Sequence, residues 1–145
     1  MKLRNLYIFI AVLFFAACGG PKNLAIYKEN ANAAVAEGNY AAAVESWKNY
    51  LNQQAETEEG ITGQEYAQAA KTAHKAGMNE QATDWFDQAR YKNYADEEMY
   101  LTLAEIFREK DNLSKELSAL EYYRENFRKE NPEVNSRLFT IYDEI

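Results

Sequence analysis

Three sets of side chains in this sequence have the types and spacing to do chemistry. Cys18 is the only cysteine and ends the apolar stretch of LFFAACGG, residues 13–20. His74 is the only histidine and stands between Lys71 and Lys75. Carboxylates come in adjacent pairs: Glu58-Glu59, Glu97-Glu98 and Asp143-Glu144. A lone thiol can carry a lipid, act as a nucleophile or bind metal with partners. Paired carboxylates can share acid and base roles when their surroundings drive their pKa values apart.

Most of that chemistry is excluded by what is missing around these residues. One histidine cannot supply the two of a His-Glu-x-x-His metal motif. No glycine-rich loop follows a strand pattern, so no phosphate cradle is expected. The carboxylate pairs read as solvated faces or helix starts. The chain is therefore not expected to be an enzyme, and no cofactor or metal is expected. Lys71 and Lys75 are four apart and share one helix face, with His74 beside them. Such a basic spot can take an acidic segment or a chain-terminal carboxylate; a merely solvated pair of lysines is the competing reading.

Cys18 has a distinctive approach. Lys2 and Arg4 give a positive start, Leu6 to Phe15 carries no charge, and Ala16 and Ala17 are small. That is the pattern of a secretory signal with its cut site. A spanning helix needs about 20 apolar residues, and Gly19, Gly20 and Pro21 stop any extension. Phe15-Ala16-Ala17-Cys18 resembles the lipobox of bacterial lipoproteins, with Phe15 where leucine is usual. The resemblance implies removal of residues 1–17, lipid attachment at Cys18 and a tether over residues 18–23. It also implies a diacylglycerol with an amide-linked chain, and stable anchoring needs more than one acyl chain. Gly19 stands where an aspartate would signal retention at the inner membrane. The implied location is the outer membrane, lipid-anchored, on its periplasmic face.

Composition bounds the rest. The 145-residue chain has a formal charge of −7, from 16 basic and 23 acidic residues. Loss of Lys2 and Arg4 with the leader lowers the 16 to 14 against 23 acidic, a charge of −9. Nucleic acid is excluded as a partner, because phosphate neutralisation needs clustered cations. Broad attraction to anionic lipid is excluded for the same reason. Two prolines and frequent Ala, Glu, Lys, Gln and Leu predict helix. No apolar–polar alternation is long enough for a strand. Residues 24–145 are the size of one domain.

Those helices recur. Ala36-Glu37-Gly38-Asn39-Tyr40 reads as helix end, turn and helix start, with Gly38 suited to a left-handed closing residue. The pattern returns at Ala76-Gly77-Met78-Asn79 and more loosely at Lys110-Asp111-Asn112-Leu113. Units aligned on these turns cover residues 24–57, 63–96 and 97–130. The second and third begin 34 residues apart, a known solenoid period. The polar stretch Glu56 to Gly63 makes the first interval longer. An early tyrosine repeats at Tyr27, Tyr66 and Tyr100, followed four residues later by Ala31, Ala70 and Ala104. The second helix carries Ala43 and Ala82 at a small position and Trp47, Phe86 and Leu120 at a large one. In these positions the units resemble tetratricopeptide repeats. Glu116 departs from the small position, Asn30 from a usual leucine, and no unit ends in the family's proline.

The implied fold is all-α: an α-solenoid of three tetratricopeptide-like helix pairs plus a C-terminal capping helix over residues 132–145. Val134, Leu138, Ile141 and Ile145 form that helix's apolar stripe. Phe139 and Tyr142 flank it and are expected in the core. The same segment also fits the first helix of a fourth unit that never completes.

In tetratricopeptide arrays the first helices line a concave surface. The resemblance assigns Lys28, Asn32, Gln68, Lys71, His74, Lys75, Glu98, Leu101, Glu105 and Arg108 to that lining. Lys28 and Asn32 match the opening of the subfamily clamp for chaperone C-termini. Gln68, Glu98 and Thr102 depart from it, and Glu98 would repel a carboxylate, so that clamp is rejected. The expected function is a membrane-anchored scaffold or adaptor for protein–protein interaction in the bacterial envelope, within a larger complex. Alternatives are an accessory factor in outer-membrane protein assembly or secretion, a scaffold for cell-wall or division complexes, and a small ligand-binding lipoprotein. The expected partner is a protein or peptide segment, with the membrane reached through the lipid anchor.

Overall fold

A computed structural model describes residues 24–127 and 130–145. The expected leader, Cys18 and the expected tether lie outside the described residues. The described residues form seven α-helices and no strand, as the composition predicts. They are α1 (Leu24–Ala36), α2 (Tyr40–Gln54), α3 (Gly63–Lys75), α4 (Asn79–Tyr91), α5 (Glu97–Glu109), α6 (Leu113–Phe127) and α7 (Pro132–Glu144).

Local sequence sets these limits. Asn39, Thr62, Asp96 and Asn131 precede α2, α3, α5 and α7, and each side chain accepts a hydrogen bond from a first-turn N–H. These bonds satisfy donors that a helix start otherwise leaves unpaired. Thr62 and Glu65 complete a reciprocal capping box, and Pro132 opens α7, where its missing N–H is no loss.

Three turns share one closing geometry. The N–H of Asn39 donates to Ala34, that of Met78 to Ala73 and that of Asn112 to Phe107, each at 2.8 Å. The residue before each donor is left-handed: φ is +74° at Gly38 and Gly77 and +52° at Asp111. Glycine takes this conformation without a Cβ penalty, and aspartate is among the few other residues that tolerate it. The third turn therefore closes like the other two despite lacking glycine. The spacing matches: α3 and α5 begin 34 residues apart, as do α4 and α6.

Each helix packs against the helix before and after it, and α3 also meets α5. Ala31, Ala43, Ala70 and Ala82 are fully buried, which lets helix backbones approach closely. Trp47, Phe86 and Leu120 fill the spaces beside them; burial of each large side chain contributes about 1.5–3 kcal/mol. Gly63 marks the tightest approach. A Cβ there would collide with the Tyr94 Cβ and stand 3.0 Å from the Ala89 carbonyl oxygen.

Two departures concern α6 and α7. Glu116 is buried, and Arg137 of α7 donates to its two carboxylate oxygens at 2.6 and 2.8 Å. Val134, Leu138 and Ile141 are buried as expected. Phe139 and Tyr142 are not core: they are 75% and 44% exposed. Phe139 lies about 130° round the helix from the buried stripe, where no described element covers it. Tyr142 keeps its ring half out because its hydroxyl donates to Glu121 and accepts from Arg124, both on α6. Ile145 keeps the stripe's register but falls past the end of α7 and is exposed.

Candidate functional site

The candidate residues sit on three helices. Lys28 and Asn32 are on α1; Gln68, Lys71, His74 and Lys75 on α3; Leu101, Glu105 and Arg108 on α5. Polar struts tie these helices side by side.

The first strut is centred on Glu65. Lys28 of α1 donates to its Oε1 at 3.2 Å, and Tyr50 of α2 makes a short hydrogen bond to the same oxygen. The Thr62 backbone N–H and hydroxyl both donate to Oε2 at 2.9 Å. Burial pushes this carboxyl up, but the bonds from Tyr50, Thr62 and Lys28 outweigh it and hold its pKa below the usual value. Burial, then the hydrogen bond to Glu65, pushes Tyr50 up to about 12.

The second strut is centred on Lys71. Its ammonium lies 2.9 Å from both Asp96, the N-cap of α5, and Glu98 in the first turn of that helix. Asp96 also accepts from the Tyr94 hydroxyl at 2.9 Å and the Met99 N–H at 2.7 Å. Burial acts to lower the Lys71 pKa, but the two carboxylates outweigh it and raise the value. Burial likewise acts to raise Asp96, and the Lys71, Met99 and Tyr94 hydrogen bonds prevail and lower it. Lys71 is thus a half-buried inter-helix brace and offers a partner no unopposed charge. The basic spot read from the sequence reduces to Lys75, which is exposed.

The third strut runs through His74. Nδ1 is 2.8 Å from the Asn79 side-chain oxygen, and Nε2 is 3.5 Å from Glu105. The Asn79 amide donates to Glu109 at 2.6 Å. That bond orients the amide, so its oxygen faces the imidazole and Nδ1 donates. His74 therefore links α3 to the start of α4, and its Nε2 faces Glu105 of α5.

Asn32, Gln68, Lys75, Glu105 and Arg108 remain solvent-exposed. Leu101, Glu105 and Arg108 also line a cleft of about 270 Å³ shared with α6 and α7, where Val134 and Arg137 form the far wall. The structure brings the α5 candidates together with α7 residues that the sequence reading had not joined to them. It also shows that Glu65, Asp96 and Asn79 organise the face. Two of these carried a readable signal: Thr62-x-x-Glu65 has capping-box spacing, and Asp96 precedes a predicted helix start. Asn79 carried none, because its role depends on α3 and α5 meeting around it.

Among the described residues no group of three His, Cys, Asp or Glu side chains is arranged to hold a metal ion. No described helix is long and apolar enough to cross a membrane. No protein-family model matches this chain, and no curated protein matches it.

Proposed function

We propose that this chain is a lipid-anchored adaptor whose three helix pairs stack as a tetratricopeptide-type solenoid with α7 across one end. The α1–α3–α5 face holds another protein at the periplasmic side of the outer membrane. The stacking is supported by the 34-residue interval from α3 to α5 and from α4 to α6 and by the shared closing turns. One pair cannot bury its own apolar face, whereas stacked neighbours bury a continuous one. The observation that carries the functional reading is the division of labour on that face. Lys28, Lys71 and His74 are engaged in holding helices together, while Asn32, Gln68, Lys75 and Arg108 stand exposed beside them. A preformed face loses little freedom on binding, and an anchor at Cys18 raises the effective concentration of a tethered partner.

The test is site-specific photo-crosslinking in cells from Asn32, Gln68 and Arg108, with Lys48 of α2 and Tyr91 of α4 as controls. A single partner captured from the first three and not from the controls is the expected result. Capture from the controls alone overturns the proposed face. Membrane attachment is tested separately with Cys18→Ala, which should release the protein or leave an uncleaved precursor. A processed and still membrane-bound variant overturns lipidation.

A further inference from the structure

A second cleft, of about 390 Å³, lies over another side of α5, between α4 and α6. It shares no lining residue with the first cleft. On α5 it uses Tyr100, Leu103 and Phe107, about a third of a turn from the Leu101, Glu105 and Arg108 stripe. Its base is apolar: Leu103 is buried and Phe107 half-buried. One wall is a parallel ring stack of Tyr100 and Tyr122, with centroids 4.0 Å apart and planes at 11°.

The polar groups around this base are unequal. Arg90 is paired with Asp87 on its own helix. The Thr83 hydroxyl donates to the Asn79 carbonyl at 2.8 Å and the Ser118 hydroxyl to the Ser114 carbonyl at 3.0 Å, so both are turned back onto their helices. Lys115 differs. Its ammonium rests 5.4 Å from the Phe107 ring centroid and has no carboxylate within ion-pair distance among the described residues. The lining holds two cations and one carboxylate, in a chain whose formal charge is −7. The volume is at the small end of the ~300–1,000 Å³ typical of ligand sites, enough for one large side chain and its neighbour.

We propose that this cleft binds a partner polypeptide segment in which an aromatic side chain lies next to a carboxylate. The ring enters over Leu103 and Phe107 against the Tyr100–Tyr122 stack, and the carboxylate meets Lys115. Offset and edge contacts with aromatic walls favour an aromatic guest over a small aliphatic one, and the ammonium favours an acidic neighbour over a neutral one. This surface is separate from the α1–α3–α5 face, so neither proposal depends on the other.

The test uses the full chain in detergent with its tyrosine rings isotopically labelled, titrated with acetyl-Phe-Asp-amide and followed by NMR. Saturable shifts at Tyr100 and Tyr122 are expected. Acetyl-Ala-Asp-amide should bind about tenfold more weakly for want of the ring. Acetyl-Phe-Asn-amide should bind about threefold more weakly for want of the charge. Lys115→Gln, an exposed site, should abolish the preference for Asp over Asn while the ring shifts persist. The proposal is overturned if the two tyrosines do not respond, or if the alanine probe binds as well as the phenylalanine probe. It is also overturned if the wild-type chain does not distinguish Asp from Asn. Tighter binding of free N-acetylphenylalanine than of acetyl-Phe-Asp-amide would make the guest a small aromatic acid and overturn the polypeptide assignment.

Discussion

Removing Arg137 should damage this protein more than removing the residue that Arg137 contacts. The two groups differ in their access to water. Glu116 keeps 3% of its side-chain surface exposed, whereas Arg137 keeps 29%. Arg137→Ala strands a carboxylate inside the α6–α7 junction. Breaking a buried pair this way costs about 3–5 kcal/mol, and entry of water past the vacated guanidinium argues for the lower end, about 3 kcal/mol. Glu116→Ala removes the buried charge itself and leaves an arginine that can turn to solvent. Its cost is the lost pair and a small void, about 1 kcal/mol. The double variant should resemble Glu116→Ala, because no buried charge remains to be stranded. Urea unfolding followed by helical circular dichroism gives these differences directly, and Arg137→Ala should lower Tm by roughly 10 °C. Equal losses from the two single variants, or a loss below about 1 kcal/mol for Arg137→Ala, would refute the account of a dehydrated carboxylate held by one arginine.

Other perturbations test the remaining contacts. Glu65 and Asp96 have folded pKa values below their unfolded ones, so their stabilisation is present above the unfolded values and is lost as pH falls through the folded ones. Lys71 has a raised folded pKa, so its contribution is present below the unfolded value and is lost as pH rises through the folded one. Tyr50, raised to about 12, weakens the fold in the same alkaline direction. Stability should therefore form a plateau falling away on both sides, measured by urea midpoints across pH, and Glu65→Gln should flatten the acid limb. Gly63→Ala should cost about 2 kcal/mol, because its methyl meets Tyr94 and the backbone of Ala89. Gly38→Ala, with open space around it but φ at +74°, should cost only about 1 kcal/mol in the same assay. Lys71→Glu should destabilise by opposing Asp96 and Glu98, whereas Lys75→Glu should stay within about 0.5 kcal/mol of wild type; similar unfolding midpoints for the two would contradict the bracing role of Lys71.

The helical class and the turns were legible because each rests on short-range chemistry. Gly38 and Gly77 announce left-handed closures, and alanines at fixed offsets announce close helix approach. Even Asp111 was readable from its alignment with those glycines. Side-chain partnership across helices was not legible. Lys71 and Lys75 look alike on a helical wheel, and only the arrival of Asp96 and Glu98 beside α3 makes one a brace and leaves the other exposed. Glu116 looked like a defect in the repeat because Arg137 lies 21 residues further on. Phe139 and Tyr142 were misread because hydrophobicity predicts burial only where another element arrives to cover the side chain.

These misreadings have one cause, and it bears on what the struts do. Helix contacts built around Ala31, Ala70 and Ala104 allow close approach, and Trp47, Phe86 and Leu120 are buried beside them. A bidentate pair such as Glu116–Arg137, or a lysine held between an N-cap and a first-turn carboxylate, is satisfied at one register alone. The polar contacts of Lys28, Lys71 and Arg137 each cross from one helix pair to the next or to α7. The same geometry leaves Lys75 and Arg108 as the exposed cations among the residues read as lining the α1–α3–α5 face. Among the residues read as its lining, Asn32, Gln68, Lys75, Glu105 and Arg108 stay exposed between the braces, and on the proposed adaptor reading these are the positions left for a partner.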